Sequence, residues 1–122
     1  MRIAFPVHDH RGLAEEIFEH FGHAPAFLLV DVENGAVKSY ETVGNPHSGE
    51  HGPGVVPYFL AQQGVNVLIC RGVGGRARLF FQQLGIEVIT GARGKVRDVL
   101  EAYLSGRLVS LPYEPREKWH KH

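Results

Sequence analysis

The sequence predicts an α/β fold, a five-stranded mixed sheet carrying three helices, in which the second strand runs antiparallel to the others. Three observations predict it. Asn34-Gly35 lies between two stretches of strand-forming residues, the signature of a tight hairpin whose turn needs two positive φ angles. Downstream, apolar runs of strand length alternate with segments of helical periodicity, as in parallel strands joined by helical crossovers. Each helical segment is followed by a glycine, Gly64, Gly85 or Gly106, where a left-handed cap residue is expected.

Taken in order, Arg2 to Val7 is a short apolar run that ends in a polar loop, and Phe27 to Val32 reads as the second strand. The third, Val37 to Val43, pairs with it across Asn34-Gly35. Val55 to Gln63 has helical spacing, and Val65 to Cys70 is apolar except for Asn66, as in a buried strand. Gly72-Val73-Gly74-Gly75 then opens a helix over Arg76 to Leu84. Ile86 to Thr90 is the fifth strand and Gly91 to Gly94 a turn. The last helix, Val96 to Leu104, carries Val96, Val99, Leu100, Tyr103 and Leu104 on one face. Phe21, Phe27, Tyr58, Phe59, Phe80 and Phe81 are expected to pack on the sheet. Residues 1–111 form one domain of ordinary size. The segment 112–122, with two prolines and no periodicity, is expected to be a flexible tail in which His120 and His122 have no role.

Composition narrows the function. Basic and acidic residues balance to a formal net charge of zero, which argues against nucleic acid or an anionic membrane as partner. With Cys70 as the one cysteine, no intramolecular disulfide forms, and a reducing, cytoplasmic setting is expected. The apolar stretch at the start is too short for a signal peptide or a membrane anchor.

Eight histidines are many for this length, and most fall in two segments, His8 to His23 and His47 to His51. The strand directions bring these segments to one edge of the sheet, the edge at the carboxyl ends of the parallel strands where ligands of open α/β sheets sit. His8 and His10 follow the first strand, His20 and His23 precede the second, His47 and His51 follow the third, and Cys70 closes the fourth. Imidazole and thiolate hold iron, zinc and copper, so His20, His51, His47, His8 and Cys70 are the candidate ligands. Glu19 and Glu50 are candidates to orient a ligand imidazole. Cys70 fits an inert core residue as well. Neither His20-x-x-His23 nor His47-x-x-x-His51 is expected to be helical, so spacing alone does not pair them, and no regular zinc pattern is present. The same edge receives the amino-terminal backbone N–H groups at Gly72, Gly74, Gly75 and Gly94, reinforced by Arg71, Arg76 and Arg93. Soft ligands in a positive field favour a metal centre of net negative charge, an iron-sulfur-type cluster, over a bare divalent cation. No catalysis is expected.

At this point three segments combine. Glu19-His20-Phe21-Gly22-His23-Ala24-Pro25-Ala26-Phe27, then Asn45-Pro46 with His51-Gly52-Pro53-Gly54, then Gly72-Val73-Gly74-Gly75-Arg76-Ala77 resemble, in order and spacing, the dinitrogenase iron-molybdenum cofactor biosynthesis family. That family includes NifX- and NafY-type cofactor carriers and the carboxy-terminal part of NifB. The resemblance runs from Arg2 to about Val109. It implies a ribonuclease-H-like fold with strand order 3-2-1-4-5. It also implies binding of iron-molybdenum cofactor or a related cluster through a histidine that maps onto His20, beside Phe21 and Gly22, with cofactor-assembly proteins as partners. A ligand role for Cys70 is not part of it.

Three other functions compete, one of them a plain interaction or scaffold domain that binds neither cluster nor anion. A metal-dependent nuclease of the same broad fold needs grouped carboxylates, and the first strand has none, while Asp9, Asp31 and Asp98 are scattered. A nucleotide- or phosphate-binding regulatory module would use Gly72 to Gly75 and Gly91 to Gly94. It predicts anion binding without metal and indifference to His20.

Overall fold

The computed structural model describes residues 1–49, 52 and 54–111. The predicted tail at 112–122, together with Glu50 and His51, lies outside the described residues. The strands are β1 (Arg2–Val7), β2 (Ala26–Glu33), β3 (Ala36–Gly44), β4 (Val67–Ile69) and β5 (Glu87–Ile89). The helices are α1 (Val55–Gln62), α2 (Gly75–Gln83) and α3 (Val96–Leu104). Two single 3-10 turns, Gly12–Ala14 and Phe21–His23, interrupt the segment between β1 and β2. The sheet order is β3-β2-β1-β4-β5, with β2 antiparallel to both neighbours and β4 parallel to β1 and to β5.

Asn34 and Gly35 have φ of 55° and 76°, as the hairpin requires, so both centre positions of the turn lie in the left-handed region. A Cβ at Gly35 would meet nothing within 4 Å, which leaves conformation as the sole penalty there. Gly35→Ala is therefore expected to cost about 1 kcal/mol, read as a lower urea midpoint at unchanged slope. Gly64, Gly85 and Gly106 likewise take φ of 78°, 75° and 75° just past the three helices.

The last two strands are shorter than their apolar runs. Val65 N–H still bonds the Leu60 carbonyl and Ile86 N–H the Phe81 carbonyl, so both residues close the preceding helix instead of extending a ladder.

Helices cover both faces. On one, α3 packs Val96, Val99 and Leu100 against Ile3, Phe5, Leu28, Val30 and Ile69. On the other, α1 and α2 bring Val56, Leu60, Ala77 and Phe81 against Ala4, Phe27, Leu29 and Leu68. With both faces covered, β1 and β2 are buried almost throughout and read as continuous apolar runs. Edge strand β3 is largely exposed. Among the described residues no helix is long and apolar enough to cross a membrane.

Candidate functional site

The carboxyl ends of β1, β3, β4 and β5 and the start of β2 share one edge, and the segment from Glu15 to Phe21 runs across it as a strap. Phe18 N–H bonds the Pro6 carbonyl at 2.7 Å, and Ile17 N–H bonds the Gly94 carbonyl at 2.9 Å. Ile17 is buried in the α3-side layer, and Phe21 in the α1/α2-side layer, where its ring lies 5.6 Å from that of Phe81. The strap is thus clamped to both faces of the sheet, and His20, one residue before the buried Phe21, is left exposed at the rim.

A buried carboxylate anchors the strap's start. Glu15 is 1% exposed, and its Oε2 accepts hydrogen bonds from Arg11 Nε at 2.8 Å and the Arg11 backbone N–H at 3.3 Å. Burial pushes the carboxyl up, but these bonds and the Arg11 charge outweigh it and hold its pKa below the ordinary value. A carboxyl depressed on folding contributes stability that is fully present above its unfolded pKa and is lost as pH falls through the folded one. Glu15→Gln is expected to lower stability at neutral pH and to flatten the acid limb below about pH 4, checked by urea melts across pH.

The strap ends in the 3-10 turn Phe21–His23, closed by His23 N–H on the His20 carbonyl at 3.0 Å. The sequence predicts no helix in this segment, and the structure gives it one 3-10 turn. Its single turn has three residues, so positions three apart fall on the same side, and the rings of His20 and His23 face each other edge-on with centroids 6.5 Å apart. Glu19, His20, Phe21, Gly22 and His23 form one wall of a cleft of about 310 Å³ whose other wall is Gly72, Val73 and Gly74. Glu19 Oε1 lies 3.6 Å from Arg71 Nη1. Gly75 and Arg76 begin α2 beside that wall, so the positive end of its dipole adjoins the cleft.

Asn45 ties the loop after β3 to this wall. It is buried, its Nδ2 donates to the Ala24 carbonyl at 2.9 Å, and its Oδ1 accepts from His47 N–H at 3.0 Å. His23 Nδ1 lies 3.2 Å from the Ser48 carbonyl, so the loop that leads towards His51 starts against the cleft.

The remaining predicted residues stand apart from the cleft lining. His8 is stacked on Phe18 with ring centroids 6.2 Å apart, and His47 sits edge-on to Phe59 at 5.9 Å. Cys70 is 0% exposed in the α1/α2-side layer, and burial pushes its thiol up to about 12 despite the Arg78 charge and a Gly72 N–H bond. Arg93 and Gly94 lie in the loop after β5, where Gly94 carries the strap through Ile17. Among the described residues, no three His, Cys, Asp or Glu side chains gather as for a metal ion. Asp31 is bound to Arg2 at 2.9 Å, near the start of β1 and so at the opposite end of the sheet from the cleft.

The sequence places His23 at the rim but not among the candidate ligands, and it does not single out Val73. The signal was present for His23, since His-Phe-Gly-His closed by Ala-Pro leaves room for one 3-10 turn before the strand.

The family described as dinitrogenase iron-molybdenum cofactor matches residues 1–106. An uncharacterized protein of Methanocaldococcus jannaschii is 34% identical over 110 residues, covering 88% of this chain and 89% of that protein. The crystal structure of PH0822 superposes with a TM-score of 0.81 at 38% identity, covering 91% of this chain and 96% of the other. The apo form of the orange protein from Desulfovibrio gigas gives 0.79 at 28% identity, over 94% and 96% of the two chains.

Proposed function

The chain belongs to the dinitrogenase iron-molybdenum cofactor family, and from that premise we propose that it carries an anionic iron-sulfur-type cluster, iron-molybdenum cofactor or a precursor, in the cleft between His20 and Gly72–Gly74. The observation that carries this reading is the meeting of two imidazoles with a glycine loop and a helix amino terminus in one cleft.

The donor set suits such cargo. A bare zinc ion is held by about four protein ligands in structural sites and three in catalytic ones, and no such group exists among the described residues. A cluster brings its own bridging sulfides and needs few protein donors. Imidazole is an established replacement for thiolate on iron. Glycine N–H groups and the α2 dipole stabilise the charge on the sulfides. His20 is the first ligand in this scheme and His23 the second. His47, on the loop that abuts His23, and His8 are further donors for a cluster larger than the cleft, as is His51, which lies outside the described residues. The buried Cys70 thiol is the least suited of the predicted ligands, because coordination needs the thiolate.

The protein acts as a carrier and not as an enzyme in this reading, with cofactor-assembly proteins as its partners, on a sheet of ribonuclease-H-like order. Anaerobic titration with a synthetic thiolate-ligated iron-sulfur cluster tests it. The expected result is a saturable change in the visible spectrum at one cluster per chain. Absence of that change, with phosphate or ATP binding that ignores His20, would instead establish the regulatory module that the glycine loop also suits.

A further inference from the structure

Asn45, buried at 7% exposure in the loop after β3, joins the two histidine-bearing segments. Its backbone N–H donates to the Pro25 carbonyl at 2.9 Å, its Nδ2 donates to the Ala24 carbonyl at 2.9 Å, and its Oδ1 accepts from His47 N–H at 3.0 Å. The start of the loop is thereby fastened to the chain between the Phe21–His23 turn and β2. Further along the same loop, the Ser48 carbonyl lies 3.2 Å from His23 Nδ1. A carbonyl oxygen can only accept, so this hydrogen bond requires the proton on Nδ1. The neutral ring then has its lone pair on Nε2, the nitrogen able to bond a metal.

We infer that Asn45 is a positioning residue for the cargo: it seats the Ser48 carbonyl on His23 and so presents that imidazole to the cleft through Nε2. The inference rests on the carrier reading above and deepens it, naming the coordinating nitrogen of the second ligand and the residue that fixes it. His23 is exposed and lines the cleft. An exposed imidazole has two tautomers and several ring orientations to choose among, and a metal needs one of each. In metal sites a hydrogen bond from the far ring nitrogen, commonly to a backbone carbonyl, makes that choice. Ser48 supplies the carbonyl. Asn45 supplies its placement, because its acceptor holds the chain in a turn across Pro46 while its donor ties that turn to Ala24, next to His23 itself.

The test compares the full chain with N45S, H23A and N45S/H23A in two measurements. One is the nitrogen-15 spectrum of the His23 ring without cargo, under conditions in which imidazole is neutral. The other is titration with the synthetic iron-sulfur cluster. The parent is expected to show a protonated Nδ1 and an unprotonated Nε2, and N45S to shift towards the opposite tautomer. N45S is expected to weaken cluster binding roughly 10- to 100-fold, H23A by at least as much, and the double variant by no more than H23A alone. A residue that merely caps its loop lowers stability without moving the tautomer. Should N45S fail to fold, N45D, which keeps the acceptor for His47 N–H and loses the donor to Ala24, is read for the same outcomes. A parent ring protonated on Nε2, a tautomer or cluster affinity unmoved by the Asn45 variant, or losses that multiply in the double variant overturn the assignment. If the parent takes up no cluster while the tautomer follows Asn45, the carrier reading falls but the positioning of His23 stands.

Discussion

Phe81→Ala is expected to cost about 3–5 kcal/mol and to loosen the functional turn as well. Phe81 is fully buried on α2, its ring packs at 5.6 Å against Phe21, and Phe21 is the first residue of the turn that separates His20 from His23. Truncation removes the transfer free energy of the ring and leaves a cavity that the sheet and α1 only partly close. The lost stability is read as a lower urea midpoint at unchanged slope. The local effect is read under conditions where the variant remains folded, as faster amide exchange at His23, whose N–H closes the turn on His20. Phe81→Leu, which restores much of the volume, is expected to recover most of both. A turn unaffected by the cavity would show that Phe21 is held by the strap alone.

His20→Ala is expected to lower affinity for the iron-sulfur cluster by at least about 100-fold, since loss of residues that merely orient ligands already costs 10–100-fold. Stability is expected to change by less than about 0.5 kcal/mol, because the ring is exposed and, among the described residues, its ring contact is the edge-on one with His23. Cluster titration and thermal melting on the same sample separate the outcomes. Affinity falling alone marks a ligand, both falling together mark a structural histidine, and neither falling removes His20 from the site.

Much of the architecture was legible because it is written in local chemistry. The hairpin followed from Asn34-Gly35, and the helix ends from glycines that adopt positive φ. The edge on which the histidine-bearing loops gather followed from strand direction alone. Long-range packing was not legible. Val65 and Ile86 look like strand residues, but their N–H groups close the preceding helices. Glu15 reads as one more acidic residue in a polar loop, and only the folded chain puts Arg11 on its carboxylate and buries it. Cys70 ends an apolar run in a way that fits a rim ligand or a core residue equally. The difference is whether α2 covers it, and Ala77 and Phe81 share its layer.

The double clamp on the strap governs how the site breathes. Backbone bonds to Gly94 and Pro6, with Ile17 in one hydrophobic layer and Phe21 in the other, mean that the segment cannot lift without opening both layers. Local opening at His20 then exposes buried apolar side chains of both layers, unlike the opening of ordinary surface loops that fray cheaply. In the proposed carrier role, a cargo held there would leave by exchange of its own coordinate bonds, not by unfastening of the protein, so its residence time would be set by ligand substitution at the metal and be open to acceleration by an incoming acceptor.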